Sequence, residues 1–211
     1  MRNLIILTLI ISLFTSCFGD KKVTNVFEIG ETSFINKNFK VNKINYTKGM
    51  SACNNITKEA IAKIYGVSAS KVHVEDPTKS DRYKKDMAPA CIFYVEEGDN
   101  DFMWLRGSIA VNREISKDEF MGDVAEAAGS GKNWEEAWSL KKSISKSAEW
   151  IPNLGKAALW NPKKGVLEIK FEGYTLVVNP LKNRLNKAET SKNRDYKKIA
   201  ISMAKVGGYI N

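Results

Sequence analysis

The side chains that could do chemistry are three thiols, one imidazole, a group of tryptophans and some clustered charges. The thiols are Cys17, Cys53 and Cys91. An odd thiol count is awkward in an oxidising compartment, unless one sulfur is consumed by another modification. His73 is the only histidine. It could act as a general base or as a zinc ligand, and a metal site built on two cysteines would have to recruit it. A structural or surface role is the simpler reading. The serines show no G-x-S-x-G elbow, and a serine triad would also need His73. Gly129-Ser130-Gly131-Lys132 lacks the spacing of a phosphate loop and follows a predicted helix. Asp99 and Asp101 are close enough in sequence for acid–base work on glycosides, yet their setting reads as a solvated turn. No catalytic residue, metal or cofactor is expected, and the balance is against an enzyme. An envelope hydrolase with an unrecognised carboxylate site is the alternative, and an inhibitor or immunity-type protein is a third.

Two further features suit binding. Trp134, Trp138, Trp150 and Trp160 fall within 27 residues. On a helix, Ala137, Leu140 and Ile144 would form the buried stripe, with Trp134 and Trp138 on its flank beside Lys141. Half-exposed rings next to a lysine make a plausible binding edge, so Trp134, Trp138 and Lys141 are the candidate binding residues. The competing reading packs both rings on a sheet while Lys141 extends to water. The second feature is basic: Lys182, Arg184, Lys187, Lys192, Arg194, Lys197 and Lys198 stand against Glu189 and Asp195. Such a run can meet anionic lipid or an acidic partner, or can simply be a solvated face.

The start of the chain carries an address. Met1-Arg2-Asn3 is positive, Leu4–Phe14 is an apolar run of eleven residues, and Thr15-Ser16 places small residues before Cys17. This is a secretory signal, and it is short of the roughly 20 apolar residues that a membrane-spanning helix needs. Phe14-Thr15-Ser16-Cys17 resembles a lipobox, the recognition site of the lipoprotein signal peptidase. The resemblance implies cleavage before Cys17 and acylation of Cys17, which would anchor the protein to a membrane. Phe18 rather than Asp follows Cys17, which by resemblance to known lipoprotein sorting signals leans toward the outer membrane of the bacterial envelope. With Cys17 consumed, Cys53 and Cys91 remain as an even pair outside the cytoplasm, which reads as a disulfide. Removal of residues 1–16 takes away only Arg2, so the mature chain carries 32 − 24 = +8. That excess suits an anionic envelope component or an acidic envelope protein, or merely aids solubility. Export argues against nucleic acid.

The elements that must position these groups follow from pattern. Residues 17–50 read as the lipidated cysteine and a tether, with Ser33–Val41 a candidate edge strand. Residues 51–211 read as a single domain. Thr57 caps a helix that Gly66 ends, with Ile56 and Ile61 as a hydrophobic staple. Lys71–Glu75, Cys91–Val95 and Phe102–Asn112 read as strands, the last two as a hairpin. Ser116 opens a helix ending at Gly129, and Asn133 opens another reaching Ser147. Ala157–Trp160, Val166–Phe171 and Tyr174–Val178 are strands, with Glu172-Gly173 as a two-residue loop. A last helix spans Arg194–Val206.

Cys53-Asn54-Asn55-Ile56-Thr57 before a helix, Cys91 opening an aromatic strand, and Leu154-Gly155-Lys156-Ala157-Ala158-Leu159-Trp160 before a hairpin and closing helix form a pattern. It resembles small exported lipoproteins with a PsbP-like α+β domain. The resemblance covers roughly residues 50–210. It implies an antiparallel sheet with helices packed on it and a Cys53–Cys91 disulfide, and it implies no catalytic residue. The function expected is that of a membrane-anchored, non-enzymatic binding or interaction module.

Overall fold

The computed structural model describes residues 32–47, 50–80, 89–114, 133–180 and 194–211. The signal segment, Cys17, the helix expected at 116–129, the Gly129–Lys132 loop and the basic stretch 182–192 lie outside the described residues.

The fold is α+β. Seven strands form one antiparallel sheet: β1 (Val72–Glu75), β2 (Ala90–Val95), β3 (Leu105–Arg113), β4 (Glu149–Trp150), β5 (Ala157–Asn161), β6 (Val166–Lys170) and β7 (Tyr174–Asn179). Three helices are described: α1 (Lys58–Tyr65), α2 (Trp134–Ile144) and α3 (Tyr196–Val206). The order across the sheet is β1-β2-β3-β7-β6-β5-β4. Two meanders, β1 to β3 and β4 to β7, are therefore joined side by side through the β3–β7 pair, in which Ser108 faces Asn179 and Arg113 faces Tyr174. No helix among the described residues is long and apolar enough to cross a membrane.

Alternation decides which face is buried. Leu105, Gly107, Ile109 and Val111 of β3, Leu167 and Ile169 of β6, and Leu176 and Val178 of β7 all point one way and are buried. On this face α1 and α3 pack against each other, α1 on β1 and α3 on β6 and β7. Ile61, Tyr65, Ala200 and Met203 supply the helix side of the core. The caps are those the sequence predicts: Thr57 accepts from the amide of Ala60, and Gly66 takes a left-handed φ of 66°. The staple residues Ile56 and Ile61 are both in the core.

At one edge the sheet is covered on both faces. All five residues of β5 are buried, because Ala158 and Trp160 face the main core while Ala157 and Leu159 face α2. The two-residue edge strand β4, not anticipated from the sequence, pairs Glu149 with Trp160 and Trp150 with Leu159.

The chain upstream of Ser51 packs on this domain. The Asn36 amide donates to the Lys156 carbonyl at 2.8 Å, and its side chain donates to the Gly155 carbonyl at 2.9 Å. Asn42 pairs with the backbone of Glu172 in both directions, at 2.9 and 3.0 Å. The Tyr174 hydroxyl donates to the Ile44 carbonyl at 2.8 Å, and Phe39, Ile44 and Tyr46 lie against the main core. Residues 32–47 thus form a strap across the end of the sheet, so the folded unit reaches upstream of the boundary expected at Ser51. The candidate edge strand at Ser33–Val41 consists of turns and irregular backbone, because Asn36 and Asn42 spend their bonds on loop carbonyls and amides instead of a strand ladder.

Candidate functional site

Cys53 and Cys91 form a disulfide with Cα atoms 4.8 Å apart. Cys53 precedes α1 and Cys91 is the second residue of β2, so the bond ties the start of a helix to a buried strand. The loop preceding α1 is fixed from a second side. Ser51 donates to Asp76 at 2.6 Å and accepts from the Cys53 amide at 2.9 Å, while Asp76 also accepts from the Thr78 amide at 3.1 Å. Burial pulls the Asp76 carboxyl upward, but the hydrogen bonds from Ser51 and Thr78 outweigh it, and its pKa lies below the ordinary value.

Trp134, Trp138 and Lys141 do come together on α2, but not as an open edge. Trp138 is only 5% exposed, which corrects the expectation of a half-exposed ring. It packs with Ala148, Ala157 and Leu159, flanked by Phe34, Trp134 and Trp150. The expected buried stripe is displaced: Ile144 is 77% exposed. The reason is area. Two indoles one turn apart remove more apolar surface from water than Ala137, Leu140 and Ile144 can, so α2 presents its tryptophans to β5.

Around them lies an aromatic and lysine seam. Phe34 of the strap stacks on Trp150 at 4.1 Å and meets Trp134 edge-on at 6.2 Å. Lys156 and Lys170 sit 5.1 and 5.6 Å from the centre of the Trp134 ring. Lys170 is 2% exposed; it is ion-paired with Glu114 and donates to the Phe171 carbonyl at 2.7 Å. Lys141 lies 5.3 Å from the Trp138 ring and is ion-paired with Glu168. Rings and cations here satisfy one another, so the seam joins strap, helix and sheet. Trp160 is not part of it and faces the main core. Sequence reasoning missed Phe34, Lys156 and Lys170. The available signal was the placement of Glu168 and Lys170 on the β6 face opposite Leu167 and Ile169.

Of the basic run, Arg194 pairs with Glu97 at 3.1 Å and lies 5.4 Å from the Tyr65 ring, and Lys197 pairs with Glu149 at 2.9 Å. These two cations join parts of the domain.

A different surface stands out at the turn between β2 and β3. Asn100 accepts from the Phe102 amide at 3.1 Å and opens a single 3-10 turn, Asp101–Met103, before β3 begins at Leu105. Phe102, expected to start the strand, is thereby turned outward and is 82% exposed. Gly98, with φ of 81°, lets the chain fold back so closely that a Cβ there would lie 2.6 Å from that of Met103. Beside Phe102 is an open cleft of about 580 Å³, whose lining includes Val67, Lys71, Met103, Trp104 and the carboxylates Glu96, Glu97, Asp99 and Asp101. His73 belongs to its rim: its ring stacks on Trp104 at 5.3 Å, and its Nε2 is 2.6 Å from Glu96. The imidazole is therefore occupied by a ring and a carboxylate. Among the described residues no group of His, Cys, Asp and Glu could hold a metal ion. The tip offers one exposed aromatic ring flanked by Asp99 and Asp101, beside a cleft whose Glu96 and Glu97 are engaged by His73 and Arg194.

Compared with known proteins, the chain matches no family model, no curated protein and no solved structure significantly.

Proposed function

We propose that the protein is a lipid-anchored lipoprotein of the bacterial cell envelope, held by acylated Cys17 on the outer membrane, and that it works as a non-enzymatic interaction module. The domain is PsbP-like in this reading, supported by the motifs around Cys53, Cys91 and Leu154–Trp160 and by the antiparallel α+β arrangement. The Cys53–Cys91 disulfide suits an oxidising compartment, and the start of the chain has the order of a lipoprotein signal.

The observation that carries the interaction role is Phe102, 82% exposed at the crest of an acidic turn. A large ring held at the surface by a capped 3-10 turn offers apolar area that a partner's pocket can bury. Asp99 and Asp101 beside it favour a partner protein whose pocket is rimmed by Lys or Arg. The test is a photo-reactive residue at Phe102 in the full chain, cross-linked in intact envelopes. A discrete adduct that disappears when Asp99 and Asp101 become lysines is expected. A folded, anchored protein that yields no adduct at this position would overturn the role of the tip.

A further inference from the structure

We propose that the strap, residues 32–47, lies against an anionic bilayer surface, so that the acidic tip is held at the far end of the domain. The inference rests on the lipoprotein reading above. From Thr32 to Lys58 the chain contains no Asp or Glu and five lysines. Lys37, Lys40 and Lys43 are exposed, and none is ion-paired with a carboxylate among the described residues. Val41 stands between them, 72% exposed. Lys40, Val41 and Lys43 border a cleft of about 440 Å³ that Asn211 also lines. Of the carboxylates at this end among the described residues, Glu172 is paired with Lys156 at 2.8 Å and Glu114 with Lys170.

The strap is a fixed surface. Asn36, Asn42 and Ile44 are hydrogen-bonded to the β5 and β6–β7 end of the sheet. This end is opposite the tip, since Tyr174 pairs with Arg113 at the end of β3 and the tip precedes Leu105 at its start. At about 3.3 Å per residue, β3 separates them by about 30 Å. The strap is also where the anchor arrives. Fourteen residues lie between Cys17 and Thr32, a span of at most about 50 Å. Exposed lysines around one apolar side chain, without acids between them, match the negative potential of an anionic leaflet.

The test uses the acylated full chain in two sets of vesicles, phosphatidylcholine alone and an equal mixture with phosphatidylglycerol, with hydrogen exchange as readout. Protection of residues 32–47 is expected on the anionic vesicles only. It should vanish in a Lys37→Gln, Lys40→Gln, Lys43→Gln variant, whose residence at the surface falls roughly 100-fold. These side chains are exposed, so an unchanged thermal midpoint verifies folding. Equal exchange of the strap on both vesicle types overturns the proposal. Failure to stay on neutral vesicles overturns the anchor instead, while strap protection on anionic vesicles would still support the contact.

Discussion

Asp76 illustrates how a single side chain organises this chain around its disulfide. Because hydrogen bonds from Ser51 and Thr78 hold its pKa below the ordinary 3.8, its ionised form stabilises the fold. A depressed carboxyl contributes stability that is present above its unfolded pKa and lost as pH falls through the folded one. Asp76→Asn should therefore cost about 1 kcal/mol at neutral pH. In denaturant titrations the gap to the parent should narrow as pH drops below 3.8. Trp138 and Phe102 make the complementary comparison. Trp138 is 5% exposed and Phe102 82%. Trp138→Ala should cost about 3–5 kcal/mol by cavity formation, whereas Phe102→Ala should leave urea unfolding within about 0.5 kcal/mol of the parent. Both residues were misplaced by periodicity, for related reasons. Helical spacing identifies which residues share a face of α2 but not which face the sheet receives. Strand alternation continues through Phe102, although the Asn100 cap ends it there.

The elements depend on a few joints. The Cys53–Cys91 bond closes a separation of 38 residues, which the chain-entropy model converts to about 4 kcal/mol of stability. The paired Cys53→Ser, Cys91→Ser variant should lose roughly that amount in equilibrium unfolding. The turn before β5 depends on backbone proximity instead. Gly155 has φ of 56°, and a Cβ there would stand 2.4 Å from the Lys170 carbonyl oxygen; Gly173 has φ of 77° with open space around it. Gly155→Ala should thus destabilise the fold clearly more than Gly173→Ala, whose cost is of the order of 1 kcal/mol. Equal thermal midpoints for the two variants would contradict the close approach. The caps at Thr57, Asn133 and Gly66 were legible because they depend on residues within four positions of one another. The short strand β4 was not, because two residues carry no period.

On the scale of the molecule, the strap is a structural part of the domain. Phe34 stacks on Trp150, and Phe39, Ile44 and Tyr46 lie against the main core. A chain beginning at Ser51 would expose these contacts and should melt roughly 10 °C below one beginning at Thr32, if about 3 kcal/mol of burial is lost. Similar midpoints would return the strap to the status of a tether. The same packing gives the molecule two ends of opposite character, a lysine-bearing strap and a carboxylate-bearing tip, and this arrangement supports both functional proposals.

By itself the sequence determined what depends on near neighbours: the caps, the strands β2, β3, β6 and β7, the hairpin at Glu172-Gly173, the α+β class, and the pairing of Cys53 with Cys91 as the only even set left once Cys17 is set aside. Tertiary structure alone decided the order in which the two meanders join, the burial of Trp138, the ion pairs of Lys141 and Lys170, and the attachment of residues 32–47. These are contacts between segments distant in the chain, as between Phe34 and Trp150 or Asn36 and Gly155. No periodicity records them, because a helix or strand pattern reports the face of one element while burial depends on which element arrives to cover it.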